Sequence, residues 1–157
     1  MELEKILIAE DKDEIREILL ETLISYNFDC SVAKDGEEAL QKCKENYFDC
    51  ILSDIQMPNL SGIDFLAKIN ALNYTPPVVF LTALKDSEMV KKALRLGAID
   101  FINKPFETQE IIDVVNRAVQ IGLRKKQIFL NQDDKSKNNE KRIKALKSIN
   151  YANKKGD

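Results

Sequence analysis

Five polar residues of the kinds that bind metals and transfer phosphoryl groups follow short apolar runs in this 157-residue chain. Glu10 and Asp11 follow Ile-Leu-Ile-Ala, and Asp54 follows Cys-Ile-Leu-Ser. Thr82 follows Val-Val-Phe-Leu, and Lys104 follows a run that ends in Phe-Ile-Asn. Carboxylates attract a divalent cation, and a carboxylate can also attack phosphorus as a nucleophile. The residue types therefore indicate a divalent metal site beside a phosphoryl-accepting carboxylate.

The apolar runs alternate with helical patterns, which is typical of parallel strands joined by crossover helices. The predicted strands are 5–9, 30–33, 50–53, 78–81 and 99–103. The predicted helices begin near Asp13, Asp35, Ser61 or Asn59, Asp86 and Thr108. Strict alternation of five strands and five helices predicts a doubly wound α/β domain. Ligands of such sheets bind beyond the carboxyl ends of the strands, so we expect the polar residues at one rim.

Composition excludes several classes of protein. The chain is 44% hydrophobic and 32% charged, and no apolar run is long enough for a membrane helix. Its charged start argues against a signal peptide, and three cysteines within predicted elements favour a reduced, cytoplasmic protein. There is no histidine and no glycine-rich nucleotide loop. A phosphoryl group, if the protein uses one, must therefore come from another molecule.

Charge divides the chain into an acidic body and a basic end. Residues 1–122 carry 13 Lys/Arg and 22 Asp/Glu, whereas residues 123–157 carry 11 and 4. We predict one domain over 1–122 and a basic tail or linker over 123–157. Apolar residues at a spacing of three predict a short amphipathic helix at 140–151. This tail is too short for a DNA-binding domain, so we expect no direct nucleic-acid binding within the chain.

Four motifs carry a resemblance to a known family. They are Ile-Ala-Glu10-Asp11, Leu-Ser-Asp54-Ile-Gln56-Met-Pro with Gly62, Leu-Thr82-Ala and Lys104-Pro105-Phe. In this order, each after a predicted strand, they resemble the receiver domain of bacterial two-component response regulators, the CheY-like family. The resemblance covers residues 4 to about 122. It implies a CheY/flavodoxin-like sheet of strand order 2-1-3-4-5 and a signalling domain rather than an enzyme.

The resemblance also implies roles for the residues at the rim. Asp54 is expected to be the phosphoacceptor. Asp11 and Asp54 are expected to bind Mg²⁺ directly, Glu10 partly through water, and Gln56 through its backbone carbonyl. Lys104 is expected to place a positive charge against the phosphoryl oxygens. The implied phosphoryl donor is a sensor histidine kinase or a phosphotransfer protein.

A conformational switch is the third implication of the resemblance. Thr82 is expected to hydrogen-bond the phosphoryl group and move inward, and Phe101, at the family's aromatic switch position, to rotate into the space left. The 86–122 face would then offer two arrangements to an output domain or protein. Many relatives carry Tyr at the switch position, and Phe lacks the hydroxyl that could bond a partner. The Lys104–Pro105 peptide bond is expected to be cis.

Two other interpretations of the acidic rim stay open at this stage. Asp11-x-Asp13 has the spacing of Mg²⁺-dependent phosphatases of the haloacid dehalogenase type, but Glu14 and Ile15 do not continue that family's pattern. A flavodoxin-like electron carrier needs a loop rich in glycine and hydroxyls after the first strand. This chain has Glu-Asp-Lys-Asp there, which would repel a phosphate.

Overall fold

The computed structural model describes residues 2–83 and 87–133, and in them five strands alternate with five helices. The strands are β1 (Lys5–Ala9), β2 (Asp29–Ala33), β3 (Cys50–Asp54), β4 (Val78–Thr82) and β5 (Asp100–Asn103). The helices are α1 (Asp13–Ser25), α2 (Gly36–Glu45), α3 (Gly62–Ile69), α4 (Ser87–Arg95) and α5 (Thr108–Asp133). All neighbouring strands pair in parallel, in the order β2-β1-β3-β4-β5. The predicted doubly wound sheet and its strand order are confirmed.

Successive residues of a strand point to opposite sides of the sheet, so the apolar strands present apolar side chains on both faces. Helices cover each face. On one face, Ile8 and Leu52 pack with Leu19 of α1 and Val115 of α5. On the other face, Phe80 and its neighbours pack with α2, α3 and α4. The central strands β3 and β4 are buried along their whole length. Burial on both faces explains why these strands have continuous apolar sequences rather than alternating ones.

Side-chain caps fix where two of the helices begin. The Asp35 carboxylate accepts a hydrogen bond from the Glu38 backbone N–H at 2.8 Å, which caps α2 as its sequence predicted. The Ser61 hydroxyl accepts from the Asp64 backbone N–H at 3.1 Å and caps α3. Of the two candidates for the α3 cap, Ser61 takes that place and Asn59 lies in the preceding loop.

Helix α5 does not end at the domain boundary predicted after residue 122 but continues to Asp133. The segment 123–133 contains neither proline nor glycine, so its sequence does not interrupt the helix. The segment also buries apolar surface, since Leu130 is only 5% exposed. The first part of the predicted tail, residues 123–133, thus continues α5.

Three aromatic residues hold this extension of α5 at the amino-terminal edge of the sheet. The ring of Phe129 meets that of Tyr74 edge-on at 6.2 Å, and Tyr74 stacks on Tyr47 at 5.9 Å. The Tyr74 hydroxyl donates to the Gly122 carbonyl at 3.2 Å. The Lys126 ammonium lies 4.4 Å from the centroid of the Tyr47 ring. We call Tyr47, Tyr74 and Phe129 the aromatic clamp.

Two predictions fall on parts of the chain that the structure does not describe. These are the short helix at 140–151 and the start of α4 at Asp86. Over residues 2–83 and 87–133, no helix combines the length and the apolar composition needed to cross a bilayer, including the long α5.

Candidate functional site

Three carboxylates meet at the carboxyl ends of β1 and β3. Glu10 directly follows β1 and is fully buried, and Asp54 ends β3 with 8% of its surface exposed. Asp11 is half-buried beside Glu10. One carboxylate oxygen from each of the three lies within 4.8 Å of the others. They converge because parallel strands all end at the same edge of a sheet.

Lys104 provides the positive charge at this rim. It follows β5, and its ammonium donates to Glu10 Oε1 at 2.7 Å and to Asp54 Oδ2 at 2.9 Å. Burial acts to lower the pKa of Lys104, but the hydrogen bonds to these two carboxylates hold that pKa above its usual value. Its backbone N–H donates to the Thr82 carbonyl at 2.9 Å, and the Lys104–Pro105 peptide bond is cis.

Two oxygens of the cluster fit the requirements of a metal ion. Among the described residues, Glu10 Oε2 and Asp11 Oδ1 are buried and have no hydrogen-bond partner. Burial, reinforced by Asp54, raises the pKa of Glu10 to about 7 in spite of Lys104. An unsatisfied buried polar atom is costly, and hard cations such as Mg²⁺ prefer carboxylate oxygens. The donor set therefore fits a divalent cation.

A cleft of about 190 Å³ opens over Asp54. Its lining residues are Lys12, Ile15, Asp54, Ile55, Gln56, Thr82, Ala83 and Lys104. Inside it, Asp54 Oδ1 accepts a hydrogen bond from the Gln56 backbone N–H at 3.2 Å. The cleft lets a group from solvent approach the Asp54 carboxylate, as a nucleophile requires. The predicted role of the Gln56 carbonyl as a metal ligand stays a prediction.

The loop after Asp54 is held in place by a close backbone approach. A Cβ on Gly62 would stand 2.1 Å from the Asp54 carbonyl oxygen, and the Gly62 N–H donates to the Ile55 carbonyl at 2.7 Å. Asn59 has a φ of 68° and donates from its amide to Asp35 Oδ2 at 2.7 Å. Sequence reasoning did not find this bond to the α2 cap, although asparagine's tolerance of left-handed backbone was a usable signal.

The two predicted switch residues lie on neighbouring strands. Thr82 ends β4 and is 3% exposed. Phe101 is half-buried on β5, where the register pairs it with Phe80 and the two rings lie 6.0 Å apart. Thr82 thus lines the cleft while Phe101 packs against the core on the side of α3 and α4. Their coupling stays a prediction.

Helix α1 and its N-cap residue supply residues of the site that the motifs did not reveal. Lys12 and Ile15 line the cleft, and the Arg16 guanidinium donates to the Glu10 backbone carbonyl at 3.0 Å. The position of these residues in the sequence was a usable signal. They lie in or next to the first turn of the helix that directly follows Glu10 and Asp11, and that turn must lie over the same rim.

Comparisons with known proteins agree with this arrangement. A family model described as the response regulator receiver domain matches residues 6–116. The regulatory protein AtoC of Escherichia coli K12 is 35% identical over 124 residues, which is 79% of this chain and 27% of AtoC. The response regulator ArlR of Staphylococcus saprophyticus is 34% identical over 108 residues, which is 69% of this chain and 49% of ArlR. The chain thus spans between 27% and 49% of the length of these two relatives.

Solved structures show the same likeness. The receiver domain of the Francisella response regulator 1452 aligns with a TM-score of 0.70 and 34% identity, over 74% of this chain and 97% of that one. A CheY-like receiver domain protein from Methanospirillum hungatei JF-1 aligns with a TM-score of 0.75 over 79% of this chain and 99% of that one. Its identity is 22%, so this second likeness concerns the fold alone.

Proposed function

The chain belongs to the response regulator receiver domain family, a signalling family, and on that premise we propose that Asp54 accepts a phosphoryl group beside a bound Mg²⁺. One observation carries the proposal. Glu10, Asp11 and Asp54 converge at one rim, two of their oxygens have no partner among the described residues, and Lys104 faces them. In a purely structural ion cluster, buried carboxylate oxygens normally accept hydrogen bonds. Oxygens that bind a cation do not need such donors.

In the proposed reaction, Asp54 is the nucleophile. One of its carboxylate oxygens forms a bond to phosphorus, and the bond between phosphorus and the donor breaks, with the electron pair remaining on the donor. Lys104 then hydrogen-bonds the phosphoryl oxygens and balances their charge. A Mg²⁺ held by Glu10, Asp11, Asp54 and the Gln56 carbonyl would supply further positive charge against the phosphoryl oxygens.

The phosphoryl donor that we propose is a sensor histidine kinase or a phosphotransfer protein. This chain contains no histidine, so it cannot carry a phosphohistidine itself. The cleft over Asp54 is open to solvent and lined partly by Lys12 and Ile15 of the α1 end, which a donor protein could contact. We propose a cytoplasmic location for this exchange, supported by three cysteines that are all free thiols.

We further propose that phosphorylation changes the 86–122 face, which an output domain or protein would read. Thr82 and Asp54 line the same cleft, which supports a hydrogen bond from the Thr82 hydroxyl to a phosphoryl group on Asp54. Phe101 lies on the neighbouring strand and is half-buried, so its ring can change its exposure without breaking a hydrogen bond. In this proposal, residues 1–122 form the domain that accepts the phosphoryl group, and residues 123–157 serve as a basic tail or linker.

Phosphotransfer to Asp54 is tested with acetyl phosphate and Mg²⁺, followed by intact-mass spectrometry. We expect one phosphoryl adduct on the unmodified chain and none on Asp54→Asn. Asp64→Asn is the matched control, because Asp64 is an exposed aspartate at the start of α3 and the same chemical change there leaves the rim intact. An adduct that persists in Asp54→Asn, or continuous release of phosphate over many turnovers, would contradict the proposal.

The switch is tested by comparing amide NMR spectra with and without beryllium fluoride, a phosphoryl mimic. In Thr82→Ala we expect the mimic to bind but the shifts around Phe101 to shrink, because the hydroxyl that distinguishes the two states is gone. Thr75→Ala removes a hydroxyl that donates to the Ile69 carbonyl at 3.3 Å, and this variant is expected to respond fully. Full shifts at Phe101 in Thr82→Ala would refute the coupling.

A further inference from the structure

Arg16 lies in the first turn of α1, and its side chain hydrogen-bonds a residue of the rim. Its Nη1 donates to the Glu10 carbonyl at 3.0 Å. Its Nη2 pairs with the Asp13 carboxylate. The Arg16 side chain is 12% exposed, whereas the Asp13 side chain is 81% exposed. The guanidinium thus bonds the backbone carbonyl of Glu10 on one side and the exposed carboxylate of Asp13 on the other.

The atom that Arg16 holds belongs to the covalent link between two candidate metal ligands. The Glu10 carbonyl is part of the planar Glu10–Asp11 peptide unit, which turns as one body. On the other side of Glu10, its N–H donates to the Ala33 carbonyl at 3.0 Å. Strand pairing therefore fixes the chain before Glu10, and Arg16 fixes the peptide plane after it. The direction in which Asp11 leaves that plane follows from both contacts.

We propose that Arg16 is a positioning residue for the cation site, holding the Glu10–Asp11 peptide so that the two carboxylates face Asp54. The inference rests on the proposed function, since it names how that site is held. It accounts for the burial of the guanidinium, which exceeds what a surface ion pair with Asp13 would need. A charge-assisted hydrogen bond to a carbonyl is also stronger than a neutral one, so it can hold the plane against the repulsion of three carboxylates.

A purely structural role for Arg16 makes a different prediction. The N-cap of α1 is Lys12, whose side chain makes no capping hydrogen bond, so the Arg16–Asp13 pair could serve only to stabilise the first turn. If so, removal of Asp13 would have the same effect as removal of Arg16. If Arg16 positions the peptide, removal of Asp13 leaves the bond to Glu10 and the cation site intact. The two variants therefore separate the two roles.

The experiment measures Mg²⁺ binding by titration calorimetry on the whole chain and its variants Arg16→Met, Arg16→Lys and Asp13→Asn. We expect Arg16→Met to weaken Mg²⁺ binding about tenfold or more, as is usual when a group that orients metal ligands is lost. Arg16→Lys keeps one donor and the charge, so it is expected to recover part of the affinity. Asp13→Asn is expected to stay within about twofold, because an exposed pair contributes little.

A second readout needs no metal. The amide NMR signal of Asp11 in the Mg²⁺-free protein is expected to move in Arg16→Met and to stay in place in Asp13→Asn, because that amide belongs to the held peptide. Unchanged affinity and an unmoved Asp11 signal in a folded Arg16→Met would overturn the proposal. Equal losses in Asp13→Asn and Arg16→Met would overturn it as well. Failure of the unmodified chain to bind Mg²⁺ would instead overturn the proposed function, and this inference with it. If Arg16→Met does not fold, Arg16→Lys against Asp13→Asn carries the same comparison.

Discussion

The Lys104 ammonium donates a hydrogen bond to Asp54 Oδ2 over 2.9 Å, although the two residues are 50 positions apart in the chain. The same ammonium lies 2.7 Å from Glu10 Oε1. Lys104 is therefore bonded to two carboxylates of the rim at once, and its charge stabilises their ionised forms. If Asp54 accepts a phosphoryl group as proposed, Lys104 must exchange one of these partners for a new anionic oxygen, and its contacts would then differ between the two states.

Replacing Lys104 by methionine is expected to destabilise the Mg²⁺-free protein in a pH-dependent way. At pH 8 the loss in the free energy of unfolding is expected to be about 3 kcal/mol, because a buried carboxylate loses its counter-ion. At pH 5 the loss is expected to be smaller, since Glu10 can hold a proton there. Urea unfolding at the two pH values measures both. Lys12→Met, which removes an exposed cation from the same cleft, is the control, and equal losses of Lys104→Met at both pH values would contradict the argument.

Glu10 is expected to make the stability of the Mg²⁺-free protein fall as the pH rises. Burial raises its pKa from 4.5 to about 7, so between these values the folded state holds a proton that the unfolded state has released. The stabilising contribution is complete below pH 4.5 and is lost as the pH rises towards 7. In thermal melts, the melting temperature of the unmodified chain minus that of Glu10→Gln is expected to fall as the pH rises through that window. Glu14→Gln, at an exposed site on α1, is the control.

The same proton links pH to the metal. A cation requires the ionised form of Glu10, so Mg²⁺ affinity is expected to increase from pH 5 to pH 7 as the proton is released. In Glu10→Gln the increase over that range is expected to be weaker. A Mg²⁺ affinity that falls as the pH rises would speak against a site built on Glu10.

Gly62→Ala is expected to disturb Asp54 directly, because the new Cβ would stand 2.1 Å from the Asp54 carbonyl oxygen and 2.9 Å from the Phe80 ring. Overpacking of this kind costs about 1–3 kcal/mol, and here the backbone that carries Asp54 must shift to relieve it. Adduct formation with acetyl phosphate is therefore expected to slow. Gly97→Ala is the control: its φ of 101° makes alanine strained, but nothing lies within 4 Å of the added atom. A normal rate in Gly62→Ala would show that the loop relaxes without moving Asp54.

The sheet and the rim residues were predictable from the sequence because both depend on local patterns. Short apolar runs mark buried parallel strands, and polar residues directly after them, such as Asp54 and Lys104, must lie at one edge. Contacts between distant loops carry no such periodic signal. The bond between Asn59 and Asp35 joins two loops, and the bond from Arg16 goes to a backbone atom, which any residue at position 10 would offer. The sequence can indicate that Asn59 and Arg16 lie near these places, but only the folded chain shows which atoms they bond.

The length of α5 was missed for the same physical reason. The predicted boundary after residue 122 was based on the change in charge, which reports on solvent-facing residues. The helix continues because Phe129 meets Tyr74, which lies in the loop before β4 and is 55 positions away in the sequence. Composition shows that an aromatic residue is present, but it does not show which distant ring covers it.

The last prediction concerns the aromatic clamp and the α5 extension, which lie at the other end of the sheet from Asp54. Phe129→Ala is expected to lower the free energy of unfolding by about 1–3 kcal/mol, since a half-buried ring is lost from its contact with Tyr74. Tyr74→Phe removes the hydroxyl that donates to the Gly122 carbonyl and is expected to cost about 1 kcal/mol. Hydrogen exchange is expected to locate both effects in the amides of 123–133, with Mg²⁺ affinity unchanged.

Ile128→Ala is the control for the clamp, because Ile128 neighbours Phe129 in the sequence but is 55% exposed. Its exchange rates are expected to stay close to those of the unmodified chain. If Phe129→Ala and Ile128→Ala accelerate exchange in 123–133 equally, helix propensity rather than the clamp holds the extension. If Phe129→Ala also weakens Mg²⁺ binding, the two ends of the sheet are coupled, and the clamp then contributes to the cation site as well as anchoring the end of α5.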